Sequence, residues 1–185
     1  MAMRARLRKL ALSVHLFVSV GWIGAVLVYL ALGVTAVTND DVSDVRAAWI
    51  AMDVAGWYVV VPLAVASVAT GLLMAFGTKW GLFRHYWVVF SFALTVLAAT
   101  VLVLHMPDVS VLARAARAGS PAGGSETHVM SRLRGGDVLH PGLGLVVLLA
   151  VLVLNVFKPA GLTRHGRRAQ RRERDRPGDA RRTLG

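Results

Sequence analysis

Four stretches of the chain lack Asp, Glu, Lys and Arg over lengths that can cross a bilayer: 10–38, 54–78, 85–107 and 138–157. A hydrocarbon core asks for about 20 apolar residues in helical form. An apolar segment in lipid must also bond every backbone group within itself, so each run is expected to be an α-helix. The expectation is an all-α, four-helix, up-down transmembrane bundle over residues 10–157. A basic tail precedes it (1–9), a basic tail follows it (158–185), and a loop of some thirty residues (108–137) joins the last two spans.

Lysine and arginine set the orientation. Four lie in the N-terminal tail, one in the 39–53 loop, two in 77–84, four in 108–137 and ten from Lys158 onward. Alternating spans put sixteen on one side and five on the other. The basic side is expected to be cytoplasmic, with both termini on it, in a multi-pass protein of the cytoplasmic membrane. The first run is about twice the length of a usual signal core and lacks a convincing small-x-small cleavage site, so it is read as a retained helix.

Composition agrees with this picture. The chain has 185 residues, 56% hydrophobic and 17% charged, with mean hydropathy +0.59. Soluble domains average about 25% charged residues. The net charge of +11 gathers at the chain ends, and no nucleic-acid recognition module accompanies it. The partners expected are therefore the lipid bilayer and anionic lipid at the basic tail, worth roughly 1 kcal/mol per basic residue near the surface. That tail, Arg-rich with Pro177 and Gly178, cannot bury a core and is expected to be disordered. There is no cysteine, which excludes disulfides and thiolate chemistry.

Local signals refine the spans. Ser43 is expected to cap a helix running through Val45, Ala48 and Met52 into the second span, with Pro62 as a kink. The loop combines a helical stretch at 109–118 with a flexible Gly119–Ser125 piece. Gly21 with Ala25, and Ser67 with Gly71, have the small-xxx-small spacing of close helix contacts. Trp57, Trp80 and Trp87 suit an interfacial belt, whereas Trp22 lies deeper and needs another role.

Ionisable residues within spans are candidates for function. His15 and His85 fall near the cytoplasmic end, His105 and His140 near the outer end. On the first span His15, Ser19, Trp22, Val26 and Tyr29 share one face; on the third, Ser91, Thr95, Ala98 and His105 do. His85 and His105 differ by about 200° of helical phase and face opposite ways, which leaves His85 among headgroups with Arg84 and Tyr86.

Two cofactor readings follow. Haem b would take His105 with His140 as its best ligand pair, His15 as a further ligand or separate contact, and Trp22, Ser91 and Thr95 as pocket lining. Copper would use imidazole and thioether from His105, Met106, His128, Met130 and His140, a set suited to Cu(I). No Ser/His/Asp set, phosphate loop or paired carboxylates can be assembled within the membrane. A non-enzymatic membrane component is therefore the leading expectation.

The segment from His15 to Gly24, reading HLFVSVGWIG, resembles the His…Trp-x-Gly first-helix signature of several small bacterial membrane families. These include the copper-resistance D family and the four-helix, haem-containing protoporphyrinogen oxidase. Trp80 to Trp87, continuing to Leu104-His105-Met106, is similar to an uncharacterised family of actinobacterial four-helix membrane proteins. The resemblance covers about residues 7–157 without the outer loop. It implies a four-helix bundle in which His15 and His105 match histidines carried by the haem- and copper-related families.

Overall fold

The computed structural model describes residues 5–77, 85–118 and 137–159, together with Gly161, Thr163 and Arg167. Every long element in them is helical: α1 (Ala5–Thr38), α2 (Val42–Ala55), a π-helical turn (Gly56–Val60), α3 (Val61–Gly77), α4 (Tyr86–Ala118) and α5 (Leu139–Phe157). Since α2, the π turn and α3 form one rod, the described residues contain four helices long and apolar enough to cross a membrane. The four spans read from the sequence lie on them, apart from His85 and Val138 at span ends and Thr78, which is outside the described residues.

Two boundaries differ from expectation. The N-cap of α2 is Asp41, not Ser43; the Asp41 carboxylate accepts the Ser43 backbone N–H at 2.8 Å and its hydroxyl at 2.7 Å. A carboxylate both satisfies an orphan N–H and suits the positive end of the helix dipole. The third span does not stop at Pro107, which lies inside α4. Proline costs one intrahelical hydrogen bond, but Val109, Ala113 and Ala116 beyond it are almost fully buried. Their packing with α2 carries the helix on to Ala118. The helical stretch expected at 109–118 is thus the end of α4. The Gly119–Ser125 piece, Trp80 and most of the basic tail lie outside the described residues.

Pro62 lies just past the π turn, where Val61 N–H reaches the Gly56 carbonyl. Each long helix packs on the next in chain order, and α1 closes the ring by packing on α5. The small residues mark the close approaches: a Cβ at Gly21 would meet Leu63 at 3.6 Å, and one at Gly71 would meet His15 at 3.4 Å. Ser19 hydrogen-bonds Ser67 and His15 hydrogen-bonds Thr70, each at 2.9 Å, lacing α1 to α3.

Burial is uneven along the bundle. At the end carrying Asp41, Asp53 and Asp137, called the acidic end below, Ala36, Val45, Trp49, Met52, Met106 and Val109 are all nearly inaccessible. Across that layer Asp53 accepts Ser110 Oγ at 2.7 Å and Arg117 at 3.0 Å, and Trp57 Nε1 donates to Ser110 at 2.9 Å. Along the spans, by contrast, large apolar side chains such as Phe17, Leu104 and Phe157 face outward, the arrangement that suits lipid rather than water. Trp87 is a difference from the expected belt: it is buried, 6.4 Å from the His85 ring. Tyr86 N–H bonds the Gly161 carbonyl.

Candidate metal centre and adjoining cavity

At the acidic end three side chains from two elements converge. His105 comes from α4, Asp137 lies just before α5, and His140 stands in the first turn of α5. His105 Nε2 lies 2.6 Å from Asp137 Oδ2, and His140 Nδ1 lies 3.2 Å from Oδ1. The two imidazoles stack, with ring centres 3.8 Å apart and planes 16° from parallel. One ligating atom from each of the three residues falls within 4.8 Å of the others.

Asp137 is only 5% exposed. Burial works against its ionisation, but the hydrogen bond and charge of His105, joined by those of His140, outweigh it. The carboxyl is held below the usual aspartate range. An ionised carboxylate accepts only, so the two ring nitrogens facing it present N–H in this state.

The backbone that places Asp137 depends on one glycine. A Cβ on Gly33 of α1 would fall 2.3 Å from the Asp137 carbonyl oxygen and 3.1 Å from its carbonyl carbon. Real Cβ atoms do not approach backbone so closely, so α1 can pass Asp137 only where it lacks a side chain.

A cavity of about 220 Å³ runs between α1, α4 and α5; most of its wall is apolar, and His105, Asp137 and His140 themselves line part of it. Trp22 and Tyr29 of α1 line it and are 2% and 4% exposed. Both Trp22 Nε1 and Tyr29 Oη are buried without a hydrogen-bond partner.

The residues singled out from sequence separate here. His105 and His140 do meet, as their shared leaflet suggested, and Trp22 does line a cavity. In this arrangement, however, the two imidazoles lie face to face. A bis-histidine haem needs its axial nitrogens on opposite faces of the porphyrin, and rings 3.8 Å apart leave no plane between them. His15 lies at the other end, bonded to Thr70, and is separated from the level of Gly33 by eighteen residues, about 27 Å along α1. Ser91 and Thr95 are not in the cavity wall. Ser91 Oγ accepts Asn155 of α5 at 3.3 Å, and Thr95 bonds back to the Ser91 carbonyl at 2.7 Å.

Met106 packs its thioether into a niche at Gly56, where a Cβ would lie 2.6 Å from its Sδ. Its burial and its place in the core account for it as packing. His128 and Met130 lie outside the described residues. Asp137, Tyr29 and Gly33 were not singled out as site residues. The signal for Asp137 was the Asp-x-x-His spacing with His140, which sets both on one side of a helix start.

Compared with known protein families, characterised proteins and solved structures, the chain gives no match, so the reading of this site rests on its geometry.

Proposed function

We propose that this chain is a multi-pass protein of the cytoplasmic membrane, with both termini inside, that holds a divalent first-row transition metal at its outer face. The ligands are His105 Nε2, an Asp137 carboxylate oxygen and His140 Nδ1. The observation that carries the reading is the convergence of two imidazoles on one buried carboxylate.

Zinc-like ions bind imidazole nitrogen at about 2.0–2.1 Å and carboxylate oxygen at about 2.0–2.2 Å, so cis ligand atoms on one ion lie about 3–3.4 Å apart. His140 Nδ1 faces one oxygen of the carboxylate at 3.2 Å and His105 Nε2 faces the other at 2.6 Å, within a cluster whose ligand atoms all lie within 4.8 Å of one another, so binding one ion requires side-chain shifts on the order of 1 Å. A cation would take the place of the two protons that now face Asp137, as metal binding to protonated ligands requires. The donor set suits zinc, copper(II), nickel(II) or iron(II) better than soft Cu(I), because the thioether of Met106 is used in packing. Three protein ligands leave a coordination position open, as in sites that exchange or present their ion; closed structural sites use four. Metal handling is therefore the function proposed, without an assigned reaction. Orientation is supported by the distribution of Lys and Arg. The same basic tail is proposed to meet anionic headgroups.

The test is a zinc titration of detergent-purified protein against a chromophoric chelator. One equivalent per chain is expected, with affinity falling at least 100-fold in the His105→Ala, His140→Ala double variant. Equal affinity in wild type and double variant would overturn the proposal.

A further inference from the structure

The cavity is polar at one end and apolar along the rest of its length. His105, Asp137 and His140 form the polar end. Trp22 Nε1 and Tyr29 Oη are inaccessible, so those two side chains offer the space ring carbon alone. From the polar end the wall steps away along two helices in the same direction. On α4 it runs from His105 back to Leu97, and on α5 from His140 on to Leu148. Each run covers eight positions, about 12 Å of helix axis. Leu97 and Val101 of α4 and Leu143 of α5 belong to the wall and are 56%, 45% and 59% exposed. The space therefore reaches the flank of the bundle between α4 and α5, where lipid lies in the membrane reading. At about 220 Å³ it exceeds the roughly 150 Å³ that accommodates benzene in an engineered apolar cavity.

Charge selects what fills it. Among the described residues of the wall, Asp137 alone is acidic and none is Lys or Arg. A divalent ion held by that carboxylate and two neutral imidazoles keeps one positive charge in excess. An uncompensated charge in apolar surroundings is costly, and the ion has a coordination position open to an anion. We propose, on the metal reading above, that the cavity binds a single-chain fatty carboxylate entering from the bilayer between α4 and α5. Its carboxylate takes the open position on the ion, and its acyl chain lies along the apolar wall. An amphiphile of that leaflet already holds its head at the level of the helix ends and its chain toward the bilayer centre, the polarity that the cavity has. Hydroxide also balances the charge but leaves the apolar run unfilled, and water needs two to four polar partners, which that run lacks. The proposal concerns binding alone.

The test uses the purified, full-length protein in phosphatidylcholine nanodiscs. Zinc is titrated against a chromophoric chelator, alone and with laurate, dodecanol or acetate at one concentration. Two ligands that favour each other on one protein raise each other's affinity by the same factor. Laurate is expected to strengthen zinc binding about tenfold, a coupling within the usual range. Dodecanol has the chain without the charge and acetate the charge without the chain, so each is expected to leave zinc affinity within about twofold. Gly144 lines the cavity and has open space where a Cβ would stand, so Gly144→Leu fills the space without a clash. That variant is expected to bind zinc as wild type does and to lose the effect of laurate, which separates a chain seated in the cavity from anionic charge spread over the nanodisc. Zinc affinity unmoved by laurate, moved equally by dodecanol or acetate, or moved by laurate equally in Gly144→Leu would each overturn this proposal and leave the metal site standing. A wild-type protein that binds no zinc would overturn both.

Discussion

His105 Nε2 and Asp137 Oδ2 lie 2.6 Å apart across 32 positions of sequence, joining α4 to the start of α5 at the most tightly packed end of the bundle. The bond involves an ionised acceptor that is almost inaccessible to water, and hydrogen bonds to charged groups contribute about 1.5–3 kcal/mol. Asp137→Asn keeps the shape and removes the charge. It is expected to lower stability by about 2 kcal/mol, measured by thermal unfolding in detergent without metal. A change below about 0.5 kcal/mol would mean that the contact does not hold α5 in place.

The same carboxylate sets a pH dependence. Its folded-state pKa lies below the ordinary value of 3.8, so the ionised form favours the fold. That contribution is fully present above about 3.8 and is lost as pH falls through the lower folded value. The stability difference between wild type and Asp137→Asn is therefore expected to follow the carboxylate in the acid range. It should shrink as acid is added below pH 4, in unfolding curves taken at each pH. A difference that grows as pH falls below 4 would contradict the assignment.

Gly33 makes a prediction about position rather than chemistry. An added methyl would collide with backbone, which cannot swing aside as a side-chain tip can. Gly33→Ala is expected to push α1 from Asp137 and weaken zinc at least tenfold, although alanine is the better helix former by about 1 kcal/mol. Gly24, whose Cβ would meet nothing within 4 Å, is the control: Gly24→Ala should bind zinc as wild type does. Parallel chelator competition on the two variants decides the matter.

His15 is expected to be structural. Its partner is Thr70, and Ser19–Ser67 lies one turn away. Polar contacts between membrane helices contribute about 0.6 kcal/mol on average and up to about 1.7. His15→Leu should therefore cost about 1 kcal/mol of stability and leave zinc affinity within twofold. A large loss of zinc binding would place His15 in a site that the distance along α1 excludes.

The four spans were legible in the sequence because lipid makes hydrocarbon length and the absence of charge almost sufficient for a helix. The stripe of His15, Ser19, Trp22, Val26 and Tyr29 was legible for a related reason: a 3.6-residue period puts them on one face, and that face is the interior. The role of Pro107 was not, since what carries α4 past it is burial of Val109, Ala113 and Ala116 against a helix far away in sequence. Asp137 escaped because a charge beside an apolar run reads equally well as the boundary of the span. Only the arrival of His105 from α4 makes it a ligand. Ser91 and Thr95 form a polar face as their spacing suggested, but Asn155 and the α4 backbone engage it, and the cavity lies elsewhere.

The central claim is that His105, Asp137 and His140 bind one ion together. X-ray absorption at the zinc edge, on protein loaded with one equivalent, tests it most directly. The account predicts only nitrogen and oxygen neighbours at about 2.0–2.2 Å, with the scattering of two imidazoles in wild type and of one in His140→Ala. A spectrum without imidazole scattering, or one that His140→Ala leaves unchanged, would contradict it.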